Sequence, residues 1–210
     1  MIIRRSISKE EIKELPDVHY PGKIEVVDTT EAATAALNYL NSKSILGIDS
    51  ETRPSFVKGK SHKVALLQVS SEDVCYLFRL KTLGLFPELV ALLENAKIKK
   101  VGLSLRDDFL MLRKRAPLRQ QACIDLQEYV KFFGIKDKSL QKIYAILFNE
   151  KISKAQRLSN WEAEELSEAQ QRYAATDAWT CLRIYNLLES LKASGDYTIS
   201  PESVAEVPAK

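Results

Sequence analysis

The sequence predicts an α/β fold in which a mixed sheet is flanked by helices, and three observations support this. The chain has 210 residues, of which 45% are hydrophobic and 28% charged, as in one globular domain with a sizeable core. Three segments rich in β-branched and aromatic residues, "SILGIDSE", "KVALLQVS" and "VCYLFRL", follow one another with loops between them, as adjacent strands do. After Pro87, helical and extended patterns alternate, with "KKVGLS" and a short segment near Cys123 as further strands.

The two ends of the chain differ from this central pattern. Residues 1–22 are predicted to form an N-terminal arm, where Ser8 and Glu11 make a capping-box pattern that begins a short helix. The strand candidate "KIEVVDTT" and an alanine-rich helix follow, and they open the main domain, which we assign to residues 23–193. Residues 194–210 are rich in Ser, Pro, Glu and Ala, which indicates a flexible tail.

The composition argues against several classes of protein. No apolar run reaches the roughly 20 residues of a transmembrane helix, and the charged start "MIIRRSISKEE" is unlike a secretory signal, so we expect a cytoplasmic protein without a membrane partner. The three cysteines lie far apart and form no CxxC pair, which favours reduced thiols over a zinc or disulfide framework. The net charge of +3 neither requires nor excludes nucleic acid, although basic residues cluster in "KIKK" and "RKRAPLR".

The first candidate site is "GIDSET", at the end of a predicted strand. Side chains alternate between the two faces of a strand, so Asp49 and Glu51 lie on the same face. Two carboxylates this close repel each other unless a cation lies between them. Acidic residues are common at strand ends, so this pair alone is a weak indication of a site.

The second candidate is "VGLSLRDDFLML", which has helical periodicity. Leu105, Phe109 and Leu112 form the apolar stripe of this helix, and Asp108 flanks the stripe while Asp107 points nearly opposite. Asp108 is also in the first turn, where the helix dipole favours an anion. We therefore predict that Asp108 faces inward and that Asp107 is solvated.

The third candidate is "RYAATDAW", in a long helix that Ser167 and Gln170 begin with a second capping-box pattern. Tyr173 and Asp177 are four residues apart on one face, and they share that face with an apolar stripe. The stripe consists of Leu166, Cys181, Ile184, Leu188 and Leu191. A buried carboxylate needs a cation, a hydrogen-bond partner or a proton, so Asp177 should have partners elsewhere in the chain.

Together these segments supply four inward carboxylates, from Asp49, Glu51, Asp108 and Asp177. Carboxylate oxygens without His or Cys suit hard cations such as Mg²⁺ or Mn²⁺ and not zinc. Two such ions stabilise the attacking and leaving oxygens of a phosphoryl transfer. The residues therefore predict two divalent metal ions and a phosphoryl-transfer reaction.

In this order, "DSE", "VGLSLRDDFLML" and "YAATD" resemble the three motifs of the DEDD superfamily of 3′-5′ exonucleases. The third motif separates two branches, and Tyr173, four residues before Asp177, matches the tyrosine branch, which is similar to ribonuclease D and to the exonuclease domain of the Werner syndrome helicase. Further likeness lies in "VALLQVSSEDVCYLF" and in "LSNWEAEELSEAQQRYAATDA".

The resemblance implies a role for each matching residue. Asp49, Glu51, Asp108 and Asp177 would be metal ligands, with Asp49 the best candidate to bridge both ions, and Tyr173 would orient the attacking water. A phenol has a pKa near 10 and is a poor base at neutral pH, so the metal ions would generate most of the hydroxide.

The resemblance also implies a fold, a reaction and a partner. The fold would be ribonuclease-H-like, with a mixed five-stranded sheet flanked by helices. The reaction would be hydrolysis of the terminal phosphodiester at a single-stranded 3′ end of DNA or RNA, with release of nucleoside 5′-monophosphates. No obligate protein partner is expected.

Two other functions are compatible with the same residues. One is a catalytically inactive nucleic-acid-binding module, although the five site residues are all present. The other is a phosphodiesterase that acts on very short oligonucleotides, because the same site chemistry would serve it. The distinction between RNA and DNA depends on contacts to the 2′-hydroxyl, which the motifs do not report.

Overall fold

The computed structural model describes residues 1–57, 59 and 61–201 of the chain. The strands are β1 (Ile2–Ile3), β2 (Lys23–Val27), β3 (Ile45–Thr52), β4 (Val64–Ser70), β5 (Val74–Arg79), β6 (Lys99–Gly102), β7 (Cys123–Asp125) and β8 (Thr198–Ile199). The helices are α1 (Lys9–Lys13), α2 (Thr30–Leu40), α3 (Leu80–Leu83), α4 (Pro87–Glu94), α5 (Leu105–Leu112), α6 (Leu126–Tyr129), α7 (Leu140–Phe148) and α8 (Glu168–Ser194), and a 3₁₀ helix, Val130–Phe133, follows α6. Within these ranges no helix combines the length and the apolar character needed to cross a membrane.

The predicted mixed sheet is confirmed, but it has six strands where five were expected. Its order is β2-β5-β4-β3-β6-β7. β4 is antiparallel to both β3 and β5, whereas the β2–β5, β3–β6 and β6–β7 pairs are parallel. The additional strand is β7 at the edge, where Cys123 pairs with Lys100 as the short segment near Cys123 predicted.

The two faces of the sheet are buried against different helices. On β3, Leu46 and Ile48 belong to a hydrophobic cluster with residues of α2, α4 and α5. The opposite face, which includes Leu66 of β4 and Leu77 of β5, packs against α8. Because β4 is covered on both sides, all of its residues are buried, as its nearly continuous apolar sequence predicts.

The helix α8 lies unusually close to the central strand β3 at Gly47. A Cβ atom on Gly47 would overlap the carbonyl oxygen of Ala178 and would lie 3.0 Å from its carbonyl carbon and 3.1 Å from the Cβ of Leu182. Glycine is therefore required here for close packing and not for backbone conformation, because Gly47 does not have a positive φ angle. This close approach places Asp177 beside the end of β3.

The N-terminal arm packs onto the domain. Its helix α1 begins as predicted, since both hydrogen bonds of the capping box between Ser8 and Glu11 are present. Ile12 and Tyr20 are buried, and the backbone N–H of Tyr20 donates to the hydroxyl of Thr176 in α8 at 3.1 Å. The arm therefore contributes to the wall around α8.

The prediction of a flexible tail from residue 194 is wrong for the first part of that segment. β8 pairs in parallel with β1, the backbone N–H of Thr198 donates to the carbonyl of Met1 at 2.9 Å, and that of Ser200 donates to the carbonyl of Ile3 at 2.9 Å. These backbone bonds, between residues nearly two hundred positions apart, are not visible in the local composition. Residues 202–210 of the predicted tail lie outside the described residues.

We expect Gly47→Ala to lower the free energy of unfolding by about 3 kcal/mol, because the added methyl group meets helix backbone that no side-chain rotation can move. Urea denaturation measures this change. Gly195→Ala is the matched control, because Gly195 has φ +74° and open space around a Cβ atom. This substitution should lower the free energy of unfolding by only the cost of a left-handed backbone conformation, about 1–2 kcal/mol. Equal losses in the two variants would contradict a steric role for Gly47.

Candidate active site

Asp49 and Glu51 lie on the face of β3 that α8 covers. They are two residues apart on the strand and point to the same side, as the alternation predicts. The β3–β4 pairing shifts register between Glu51 and Thr52, so the regular backbone hydrogen bonding of this pair ends at Glu51. Both residues are half-buried at this end of the sheet.

Tyr173 and Asp177 lie on the first half of α8. The helix begins as predicted, with both capping-box hydrogen bonds between Ser167 and Gln170. Asp177 is 8% exposed, which places a carboxylate on the buried face of the helix. Residues further along the predicted stripe, such as Cys181, are buried as well, so the helical periodicity identified the inward face correctly.

Three of the four predicted metal ligands come together. Carboxylate oxygens of Asp49, Glu51 and Asp177 all lie within 4.8 Å of one another. Two of these residues come from β3 and the third from α8, more than 120 positions later in the chain. The packing of α8 on β3 therefore creates the group that no single segment contains.

Asp108 lies beside this group of three and is held by another residue of β3. Its Oδ1 accepts a short hydrogen bond from the hydroxyl of Ser50. Asp108 is half-buried while Asp107 is exposed, which agrees with the orientation that the helical pattern predicted. Its role as a metal ligand stays a prediction. The sequence analysis missed Ser50, because nothing local links it to a residue 58 positions away.

Burial raises the pKa of each carboxyl group in the site, and repulsion from the neighbouring site carboxylates adds to this at Asp49 and Glu51. The pKa of Asp49 lies well above its ordinary value, chiefly because of burial and then because of repulsion from Asp108, Asp177 and Glu51. Burial, with repulsion from Asp177 and Asp108, raises the pKa of Glu51 to about 9. Burial also raises the pKa of Asp177 to about 7 and that of Asp108 to about 6. Four ionised groups here would be strongly unfavourable without a cation.

This donor set fits a divalent cation. The group within 4.8 Å offers carboxylate oxygens from Asp49, Glu51 and Asp177, which are hard ligands suited to Mg²⁺ or Mn²⁺. A cation among them would offset the repulsion that raises their pKa values. The close grouping of three carboxylates is the observation that indicates a metal site, because a cation would offset their negative charge.

Tyr173 is packed in place beside the carboxylates. Its ring lies against the ring of Trp161, with centroids 5.9 Å apart and an interplanar angle of 36°. Burial, and then the charges of Asp177 and Glu51, raise the pKa of Tyr173 above its ordinary value, so its phenol is neutral at physiological pH. Trp161 is fully buried, so it packs in the core and is not available to stack on a base.

The segment before α8 that carries this tryptophan is anchored to the sheet. Arg79 at the end of β5 is buried, and its guanidinium donates to the carbonyl of Glu164 at 3.3 Å and to the carbonyl of Ala163. Lys81 Nζ donates to the carbonyl of Glu162 at 2.7 Å. Three successive backbone carbonyls are thus held by cationic side chains, and this wall of the site is fixed to the rigid sheet.

Two exposed cations, also missed in the sequence analysis, lie near the carboxylates on the same segment. Burial raises the pKa values of Asp177 and Glu51. The positive charge of Lys154 partly offsets this rise at Asp177, and that of Arg157 partly offsets it at Glu51. They stand in an irregular loop, where no periodicity indicates which way a side chain points. The loop therefore places positive charge at the rim of a negative site.

A cavity of about 320 Å³ adjoins Tyr173 on the side of the N-terminal arm. Its lining includes Val18 and His19 of the arm, Gln156 of the loop and Arg172 of α8. The N-terminal arm, residues 1–22, therefore contributes to the surroundings of the site, although the sequence analysis assigned it outside the main domain.

Comparison with known proteins agrees with this geometry. The family described as "3'-5' exonuclease" matches residues 24–192. The bifunctional 3′-5′ exonuclease/ATP-dependent helicase WRN of Mus musculus is 32% identical over 187 residues, which are 84% of this chain and 13% of that protein. Ribonuclease D of Haemophilus influenzae is 28% identical over 185 residues, which are 87% of this chain and 45% of that protein. The chain therefore spans less than half the length of either relative.

The fold is shared with a solved exonuclease domain. The Nibbler EXO domain of Aedes aegypti superposes with a TM-score of 0.74 and 24% identity, over 83% of this chain and 90% of that domain. The expected ribonuclease-H-like α/β fold is thereby confirmed.

The raised pKa values predict how the stability of the metal-free protein depends on pH. Protonated carboxyl groups are favoured in the folded state, so their contribution is fully present below their ordinary values of 3.8 to 4.5 and is lost as the pH rises through about 6 to 9. With a chelator, the unfolding midpoint should fall from about pH 4.5 to about pH 9, and Mn²⁺ should reduce that fall.

Asp49→Asn should raise the stability of the chelated protein at pH 8 by about 1–2 kcal/mol, the equivalent of about one pKa unit, since it removes one repelling charge. Asp107→Asn is the control and should raise the stability less, because Asp107 is exposed and solvent screens its repulsion of Asp108. Thermal unfolding in EDTA measures both, and an Asp49→Asn midpoint below that of the unchanged protein would contradict the repulsion.

Proposed function

Because the chain belongs to the 3′-5′ exonuclease family, we propose that it hydrolyses the terminal phosphodiester bond at the 3′ end of DNA or RNA and releases nucleoside 5′-monophosphates. The single observation that carries this proposal is the group of oxygens from Asp49, Glu51 and Asp177 within 4.8 Å, with Asp108 beside it. The electrostatic effects that link Asp108 to Asp49, and Tyr173 to Asp177 and Glu51, support the assignment of these two residues to the same site.

The proposal includes two divalent ions, Mg²⁺ or Mn²⁺, held by the four carboxylates. When bound, such ions supply an activated water and stabilise negative charge on the attacking and leaving oxygens. Asp49 is central among the four, because Asp108, Asp177 and Glu51 all act on its charge. This supports the assignment of Asp49 as the ligand shared by both ions.

Tyr173 acts in this proposal by orienting water and not by removing its proton. A phenol has an ordinary pKa near 10 and is a poor base at neutral pH, whereas a neutral phenol can both accept and donate a hydrogen bond. The packing of its ring on Trp161 limits the positions of the hydroxyl. A water molecule held between this hydroxyl and the carboxylate group would be aligned for attack on phosphorus.

Lys154 and Arg157 are the proposed contacts to the substrate backbone. Phosphate groups would be repelled by the uncompensated carboxylates, and cations at the rim reduce this repulsion. Such contacts are independent of base sequence and weaken as salt concentration rises. They support binding of the strand itself, in DNA or in RNA.

The first test is a degradation assay on a 5′-labelled single-stranded twenty-mer, as DNA and as RNA, with Mn²⁺, Mg²⁺ or chelator. We expect a ladder that shortens from the 3′ end only with metal, because in this proposal the ions supply the activated water and stabilise the charge on the leaving oxygen. Faster turnover of a dinucleotide would instead assign the chain to phosphodiesterases of short oligonucleotides. Binding of the twenty-mer without any cleavage would identify an inactive module.

Matched variants test whether any degradation in this assay depends on the carboxylates of the site. Asp49→Asn and Asp108→Asn should abolish the ladder without unfolding the protein, whereas Asp107→Asn should retain it because Asp107 is exposed. An active Asp108→Asn beside an inactive Asp107→Asn would show that the second motif is assigned to the wrong aspartate.

Tyr173→Phe should slow turnover by roughly a hundredfold, the scale of effect that misplacing a reacting group produces, and should leave Mn²⁺ affinity unchanged. The phenyl ring still packs on Trp161, so only the hydroxyl is removed. Single-turnover rates at saturating Mn²⁺ measure the effect. A lower Mn²⁺ affinity with a normal rate at saturation would mean that the hydroxyl supports the metal site instead.

A further inference from the structure

Gln68, in the middle of β4, is a polar side chain with no exposed surface. Within the described residues, neither its Oε1 nor its Nε2 has a hydrogen-bond partner. An amide that is buried and unpaired destabilises the folded state, and leucine or methionine would fill the same space without this penalty. A glutamine at this buried position is therefore not explained by stability alone, which suggests that its side chain serves a function.

The sheet register places Gln68 directly opposite Asp49. In the antiparallel β3–β4 pair these two residues are Cα partners, and on the other side Gln68 is paired with Leu77 of β5. Directly paired residues project to the same face, with Cβ atoms about 4.5–5.5 Å apart. That face is covered by α8 through small apolar residues such as Ala174 and Ala178. Asp49 is therefore the charged group that the register sets beside the amide.

We propose that Gln68 is a positioning residue for Asp49, whose carboxylate accepts a hydrogen bond from the side-chain Nε2 of Gln68 when the site binds a divalent cation. The bond would use one of the roughly four acceptor sites of the Asp49 carboxylate and leave the others for metal coordination. This inference rests on the proposed function in so far as the cation serves the nuclease reaction.

The chemistry of the two groups favours this pairing. An amide N–H is a donor without a charge, so it stabilises an ionised carboxylate without competing with the cation for it. Glutamine is long enough to approach its cross-strand neighbour, and close packing under α8 restricts its alternative positions. Hydrogen bonds from such outer groups orient metal ligands and raise metal affinity.

The test compares Gln68→Met with Leu77→Met, which disturbs the packing next to Gln68 but removes no polar atom. Mn²⁺ affinity is measured on the substrate-free protein from the electron paramagnetic resonance signal of free Mn²⁺, and stability from thermal unfolding in EDTA. We expect Gln68→Met to weaken Mn²⁺ binding by roughly tenfold or more. Its unfolding midpoint in EDTA should be unchanged or higher, because two unpaired polar atoms are removed. Leu77→Met should bind Mn²⁺ normally.

A Gln68→Met protein with unchanged Mn²⁺ affinity would overturn the inference, and so would an equal loss of affinity in Leu77→Met. The proposed function is judged separately by the oligonucleotide ladder. If the unchanged protein binds Mn²⁺ in a Gln68-dependent way but degrades no oligonucleotide, the proposed function fails and this inference stands. If it degrades oligonucleotides and Gln68→Met binds Mn²⁺ normally, the inference alone fails.

Discussion

The close contact between Gly47 and the backbone of Ala178 sets the distance between Asp177 on α8 and the two acidic residues of β3, Asp49 and Glu51. At this point α8 touches the central strand with no side chain between them. Asp177 precedes Ala178 on the helix, and Asp49 follows Gly47 by two residues on the strand. Any larger side chain at residue 47 would displace the helix and separate carboxylates that lie within 4.8 Å. A steric requirement in the core thus fixes the electrostatics of the site.

The rest of the molecule offsets the instability that this contact creates. Three carboxylates crowd against α8 with raised pKa values, and Gln68 adds an unpaired amide beneath them. Large apolar clusters on both faces of the sheet supply the compensating stability. Proteins concentrate unfavourable interactions where function requires them and rely on regular packing elsewhere.

Local patterns in the sequence predicted local structure well, and they predicted the inward face of each site helix. The capping box of Ser167 and Gln170, and the inward orientation of Asp108 relative to Asp107, follow from spacing along one helix and were confirmed. The pairing of β8 with β1 and the bond from Ser50 to Asp108 depend on packing between distant segments. No periodicity reports such contacts, because their partners are defined only once the chain has folded.

The anchoring of the loop before α8 by Arg79 and Lys81 has a consequence for how a strand enters. The carbonyls of residues 162–164 are held by Arg79 at the end of β5 and by Lys81 of α3, so this part of the loop is a fixed side of the site and not a closing lid. The conformational entropy of this part of the loop is therefore lost when the protein folds, and ordering it costs no further free energy when a ligand binds. Under the proposed function, a 3′ end would meet a fixed surface on this side, so any bending there would have to come from the nucleic acid.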